Sequence, residues 1–194
     1  MDLKERIYSV LAVSAADAFN ASLRAMLPQC RYEPVCFEMS VNAARRTLLE
    51  KHFDLVVINS PLPDDSGLRL AVDLCRQKDI VALVLVKADY YGAVYSKVAE
   101  HGVYVLAKPI SKAMLSQAVD WMSTTQERLR QLEKKAASIE EKMQEIRLVN
   151  RAKWLLIDQL KMTEADAHRY IEKQAMDSCT SKKVVAEEIV GLYS

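Results

Sequence analysis

Glycine is nearly absent from this chain, with four in 194 residues, and proline is almost as scarce at five. No glycine-rich loop is therefore present to wrap a phosphate in backbone amides, and the usual nucleotide-binding fingerprints are excluded. Histidine occurs three times, with no His/Cys cluster of metal-ligand spacing and no Ser-His-Asp pattern. Neither a metal site nor a catalytic triad is expected, nor any cofactor, and the chain does not read as an enzyme. The four cysteines (Cys30, Cys36, Cys75, Cys179) include no CxxC pair, as expected of reduced thiols in the cytoplasm. No apolar run approaches the length of a membrane span. The start, MDLKERIYSV, lacks the apolar core of a signal peptide, so a soluble cytoplasmic protein is expected. A net charge of +1 gives the whole chain no bias toward nucleic acid or a membrane surface.

What is present divides into two halves. Through residue 110, short apolar runs at 7–13, 32–37, 55–59, 80–86 and 103–107 alternate with helix-period segments near 17–27, 41–51, 67–77 and 91–101. The runs are rich in β-branched residues and apolar on both faces, which suits a parallel sheet covered on both sides. Ligand chemistry in such sheets sits at the carboxyl ends of the strands. Between Pro109 and Gly191 neither glycine nor proline occurs, and Glu, Lys, Gln, Leu and Ala dominate, so this half is helical. One break is expected in it. Thr124 and Glu127, three apart, have the form of a capping box, which would end a fifth helix near Met122 and start a long one near Thr125.

Leu129, Leu132, Ala136, Ile139, Met143 and Ile146 recur at alternating three- and four-residue steps, the seam of a coiled coil. Arg128, Lys135 and Lys142 flank it on one side, and Glu133, Glu140 and Arg147 on the other. In a parallel pair Arg128 meets Glu133 and Lys135 meets Glu140, with Lys142 against Arg147 the one repulsion. An antiparallel pair would set the basic positions against each other, so a parallel homodimer is expected. The bland alternative is an amphipathic helix lying on its own domain.

The stretch DLVVINSPLPDDSGL (54–68) and the pair Lys108-Pro109 carry a resemblance over residues 5–122 to the receiver domain of two-component response regulators. The resemblance implies a flavodoxin-like (βα)5 fold with an acidic pair after the first strand, an Asp nucleophile after the third, a hydroxyl after the fourth and a Lys after the fifth. Here the pair falls on Ser14 and Ala15, the nucleophile on Asn59, the hydroxyl on Lys87 and the switch aromatic on Val105. Lys108 alone is kept. An amide cannot serve as the carboxylate nucleophile, and without the acidic pair no hard-oxygen cage for Mg²⁺ exists. A pseudo-receiver is expected, with Lys87 either placing a cation beside the pocket, paired to Asp64, Asp65, Asp89 or Asp17, or extending into solvent.

RLVNRAKWLLIDQLKMTEADA (147–167), IEKQAMD (171–177) and VVAEEIV (184–190) resemble the ANTAR domain, a three-helix RNA-binding module of transcription antitermination regulators, over about residues 133–193. Trp154 departs from the glycine usual there, and the basic residue common near Glu172 is missing. Residues 147–194 hold eight basic against seven acidic side chains, so distribution matters more than sum. Arg147, Arg151, Trp154 and Lys161 share one helix face with Asp158, opposite a stripe of Leu148, Ala152, Leu155 and Leu156. Arg169 and Lys173 lie four apart on a second helix, and Lys182 and Lys183 open a third. Lys153 gains an RNA role from the resemblance. Trp154 beside Arg151 is either a stacking platform for bases or a plug between the bundle and a partner chain.

The expected organisation is α/β followed by all-α: a pseudo-receiver (1–122), a coiled-coil linker helix (123–146) and a three-helix RNA-binding bundle (147–194). The resemblance implies a dimeric antiterminator that grips two stem-loops of a nascent leader transcript, with input from a regulatory protein, a small ligand or dimerisation. The rival expectation is a protein-interaction module that touches no nucleic acid. A working phosphorelay enzyme is a third, disfavoured by Asn59.

Overall fold

The computed structural model describes residues 6–76 and 80–193. The first five residues, the final serine and Gln77, the expected last residue of the third helix, lie outside it. Five parallel strands, β1 (Tyr8–Val13), β2 (Tyr32–Glu38), β3 (Leu55–Asn59), β4 (Val81–Lys87) and β5 (Tyr104–Lys108), form one sheet in the order β2-β1-β3-β4-β5. This is the flavodoxin-like order, which reverses direction between β1 and β3. Helices α1 (Asp17–Met26), α2 (Val41–Glu50), α3 (Leu68–Arg76), α4 (Tyr91–Val98) and the start of α5 (Lys112–Leu160) connect or follow the strands. The five expected strands and the four helices between them are found, with ends displaced by a residue or a few.

Alternation along each strand sorts the core into two layers. Val56, Ile58, Ala82 and Val84 face α2, α3 and α4, while Leu55, Val57, Leu83 and Leu85 face α1 and Leu115, Ala118, Val119 and Met122 of α5. Edge strand β2 tolerates Pro34, because the pairing with β1 shifts register between Tyr8 and Val10, where the missing N–H costs no ladder bond.

Gly67 starts α3 from the left-handed region, at φ +76, with Ile58 Cγ2 only 2.6 Å from where a Cβ would stand. Both facts demand glycine. Gly67→Ala is expected to lower unfolding free energy by about 1–3 kcal/mol, checked by chemical denaturation.

The break expected at residues 123–127 is not there: α5 runs unbroken from Lys112 to Leu160. The hydroxyls that suggested a cap bond backward instead, Ser123 to the Val119 carbonyl (2.9 Å) and Thr124 to that of Asp120 (3.0 Å). Glu127 does not turn back to a helix start. It accepts from Arg6 at 2.8 Å, which holds its carboxyl below the usual range.

The chain forms two compact units, 1–131 and 132–194. In the second, the last part of α5 packs with α6 (Glu164–Asp177) and α7 (Lys182–Tyr193) around Ala152, Leu156, Ala167, Ile171, Ala175, Val185, Ala186 and Ile189. The alanines let the helices approach closely. Thr163 caps α6 by accepting from the Asp166 amide. Among the described residues no helix is long and apolar enough to cross a membrane.

Candidate functional site

Four residues that sequence reasoning placed at strand ends do converge there. Asn59, Lys87 and Lys108 are the last residues of β3, β4 and β5, and Ser14 follows β1. Lys108 Nζ donates to Asn59 Oδ1 at 3.0 Å and to the Ser60 carbonyl. Asn59 Nδ2 in turn donates to Ser14 Oγ at 3.0 Å, and that oxygen, wholly buried, also accepts from the Ala16 amide at 3.2 Å. The result is a relay of hydrogen bonds from a cation through an amide to a hydroxyl, with no carboxylate in it. Burial pushes the Lys108 amine down from its ordinary value, and Lys87, its register partner across β4 and β5, adds to that.

Asp64 and Asp65 do not pair with Lys87, contrary to one expectation. The Asp64 carboxylate caps α2, accepting from the amides of Val41 (2.9 Å) and Asn42 (3.0 Å), which hold it below the usual carboxylate range. Asp65 accepts from the Gly67 amide at 2.7 Å. Each carboxylate is drawn to backbone donors at a helix start, Asp64 to that of α2 and Asp65 to that of α3. Asp17 and Asp89 form no ion pair among the described residues. Val105, in place of the aromatic, is buried against the α3–α4 layer. These donors do not suit a divalent cation: Ala15 offers no side-chain oxygen, no carboxylate is present, and the side-chain oxygens of Ser14 and Asn59 already accept hydrogen bonds.

In the second unit, Arg147, Arg151, Trp154 and Asp158 are all exposed along α5, while Ala152 and Leu156 on the opposite stripe are buried. Lys161, expected on the same face, is exposed but lies past the end of the helix at Leu160, with its backbone turned into the left-handed region at φ 55. Trp154 is 71% exposed, the most solvent-facing aromatic side chain among the described residues. Arg169 and Lys173 project from α6 into solvent. Two other expected cations are already engaged. Lys153 Nζ lies 3.2 Å from Glu164, and Lys182 Nζ lies 2.5 Å from Glu172, which His168 also approaches at 3.3 Å. Lys182 and then His168 hold the Glu172 carboxyl below its usual range. Met176, part of the resembling stretch 171–177 but given no role from the sequence, is 78% exposed and lines a surface cleft with Glu172 and Lys182. It falls off the buried Ala167–Ile171–Ala175 stripe.

Along the expected seam, Leu132, Ile139, Met143 and Ile146 are 50–60% exposed, Ala136 is exposed, and Leu129 packs partly against the first unit's core. Four large apolar side chains at heptad spacing thus face solvent in the single chain.

Residues 137–190 match the ANTAR domain. The transcriptional regulatory protein PdtaR of Mycobacterium tuberculosis is 30% identical over 138 residues, spanning 71% of this chain and 67% of that protein. The signal receiver domain of an HD domain-containing protein from Pseudomonas fluorescens superposes with a TM-score of 0.56 at 22% identity, covering 64% of this chain and 92% of that one. The response regulator StyR gives 0.61 at 17% identity, covering 97% of this chain and 100% of its own. At such identities the two structures establish the fold alone.

Proposed function

The chain belongs to the ANTAR-domain response regulators, and we propose that it is a dimeric transcription antiterminator whose receiver-type domain takes no phosphoryl group. Two copies of the carboxyl-terminal bundle would grip paired stem-loops of a nascent leader transcript, so that a terminator hairpin does not form. The observation that carries the reading is Trp154, exposed beside Arg147 and Arg151 on one helix face. An aromatic of that size left in water beside guanidinium groups suits a splayed base with its phosphates held nearby. Transcriptional regulation is what the relative PdtaR is named for. The proposed domains are a pseudo-receiver over 1–122, a coiled-coil segment over 123–146 and the RNA-binding bundle over 147–194. The exposed seam would join two copies along its length as a parallel coiled coil.

The test is binding of purified protein to stem-loop transcripts against unstructured polymer across a salt series. Affinity for the stem-loops is expected to fall with a log–log slope of about 0.7 per single-strand phosphate contacted. A protein-interaction module is the second reading, favoured by the ion pairs that engage Lys153 and Lys182 within the bundle. It wins if no structured-RNA preference is seen at low salt.

For the amino-terminal domain, the expected result is no label taken up from acetyl phosphate in the presence of Mg²⁺, either by the natural chain or by Asn59→Asp. The substitution restores a carboxylate within reach of Lys108 but leaves Ser14 and Ala15 unable to hold the metal. An acid-labile aspartyl phosphate in the natural chain would overturn this part of the reading.

A further inference from the structure

Beside the relay of Asn59 and Lys108 lies a cavity of about 440 Å³ that the phosphoacceptor position does not account for. It opens between the turn after β3 and the start of α4. Leu68, Val86 and Val94 supply apolar wall, and Lys87, Lys97 and Tyr90 line it as well. Its volume falls within the range of small-molecule sites, which are concave and mostly apolar with a few polar groups.

The charge of the lining is one-sided. Both titratable charges are lysines and no carboxylate lines the cavity, although Asp89 is only two residues from Lys87. The cleft between α2 and α3 differs: there Arg45 and Arg69 are offset by Asp64, Asp65 and Asp73. Neither Lys87 nor Lys97 has an ion-pair or hydrogen-bond partner among the described residues. Lys87 also acts on Lys108, so amines crowd this end of the sheet without a counter-charge in place. Lys87 and Lys97 are themselves exposed, so an anion entering the cavity meets unneutralised cations at its rim, with the buried Val86 and Val94 behind them excluding water on one side.

We infer that the cavity is a binding site for a small organic anion, its acid head on the Lys87 and Lys97 ammonium groups and its apolar body against Leu68, Val86 and Val94. The exposed Tyr90 phenol borders the opening and adds a donor or a ring face. The site stands on the first unit alone, so it holds whether or not the second unit reads RNA.

The experiment is a titration of ¹⁵N-labelled full-length protein, followed by NMR, with phenyl phosphate, benzoate, inorganic phosphate and neutral benzyl alcohol. Saturable shifts of the Lys87, Val94 and Lys97 amides are expected with at least one organic anion. Inorganic phosphate and benzyl alcohol are expected to bind about tenfold weaker or less, since each offers only half of the recognition. The double variant Lys87→Gln, Lys97→Gln is expected to lose at least about tenfold in affinity with the rest of its spectrum unchanged. Ala93→Phe, at an exposed lining position, is expected to occlude the cavity and abolish binding. The inference is overturned by the absence of saturable shifts with both organic anions, by affinity unchanged in the lysine variant, or by shifts centred elsewhere.

Discussion

A chain carrying Ile139→Asp and Met143→Asp is expected to sediment as a monomer at concentrations where the natural chain is dimeric. Ile139 is 59% and Met143 50% exposed in the single chain, so neither supports its own fold. Far-UV circular dichroism is accordingly expected to stay the same apart from the modest helix propensity cost of aspartate. In a parallel pair both would be buried against their equivalents, and since each is already about half covered the gain is about 1 kcal/mol apiece. Four such side chains per dimer come to about 4 kcal/mol, roughly 10³-fold in the dissociation constant, before the repulsion of four carboxylates is counted. The consequence for function is distinct from the consequence for assembly. Affinity for a transcript with two stem-loops is expected to fall by about 10²–10⁴, because the second contact ceases to be intramolecular. Affinity for a single stem-loop is expected to hold. A variant that remains dimeric would place the interface elsewhere, and a monomer with undiminished two-site affinity would remove the need for one.

How far such features could be read from the sequence depended on the range of the interactions that decide them. The strands and helices of the first half follow from local periodicity, so they were legible. Ser123, Thr124 and Glu127 were misread for the same reason in reverse. Their local pattern fits a cap, but Ser123 is buried at 3.2 Å from the Tyr32 hydroxyl and Glu127 is taken by Arg6, 121 residues away in the chain. Long-range partners of that kind override a weak local preference and carry no signature in the neighbouring residues. Asp64 repeats the lesson: the residue expected near Lys87 caps a helix that begins 23 positions earlier. In the bundle, the buried and exposed faces of α5 were visible from spacing. The engagement of Lys153 by Glu164 and of Lys182 by Glu172 was not, since it depends on how α5, α6 and α7 meet. The degenerate strand-end residues were legible one by one, whereas the relay that joins Lys108 to Ser14 through Asn59 required β1, β3, β4 and β5 to be laid side by side.

Trp154→Ala is expected to weaken stem-loop binding by about 10- to 100-fold, the loss that follows removal of one base–aromatic stack. At 71% exposure the indole contributes little to the bundle, so the melting temperature is expected to stay nearly constant, as for most surface substitutions. Trp154→Phe keeps a ring face and is expected to recover part of the affinity. The salt series separates this role from that of its neighbour. A stacked ring contacts no phosphate, so Trp154→Ala leaves the log–log slope unchanged, whereas Arg151→Ala is expected to reduce it by about 0.7 if its guanidinium lies on a phosphate. Lys153→Ala also loses the Glu164 pair, in which the lysine side chain is only 17% exposed, so a fall in RNA affinity there is attributable to the RNA only where the melting temperature holds. The competing role for Trp154, a plug against a partner chain, makes the opposite pattern. Trp154→Ala would then loosen the dimer in sedimentation while a single stem-loop bound as before. Because the indole cannot be covered by a partner helix and a base at once, the two measurements on one variant decide between them.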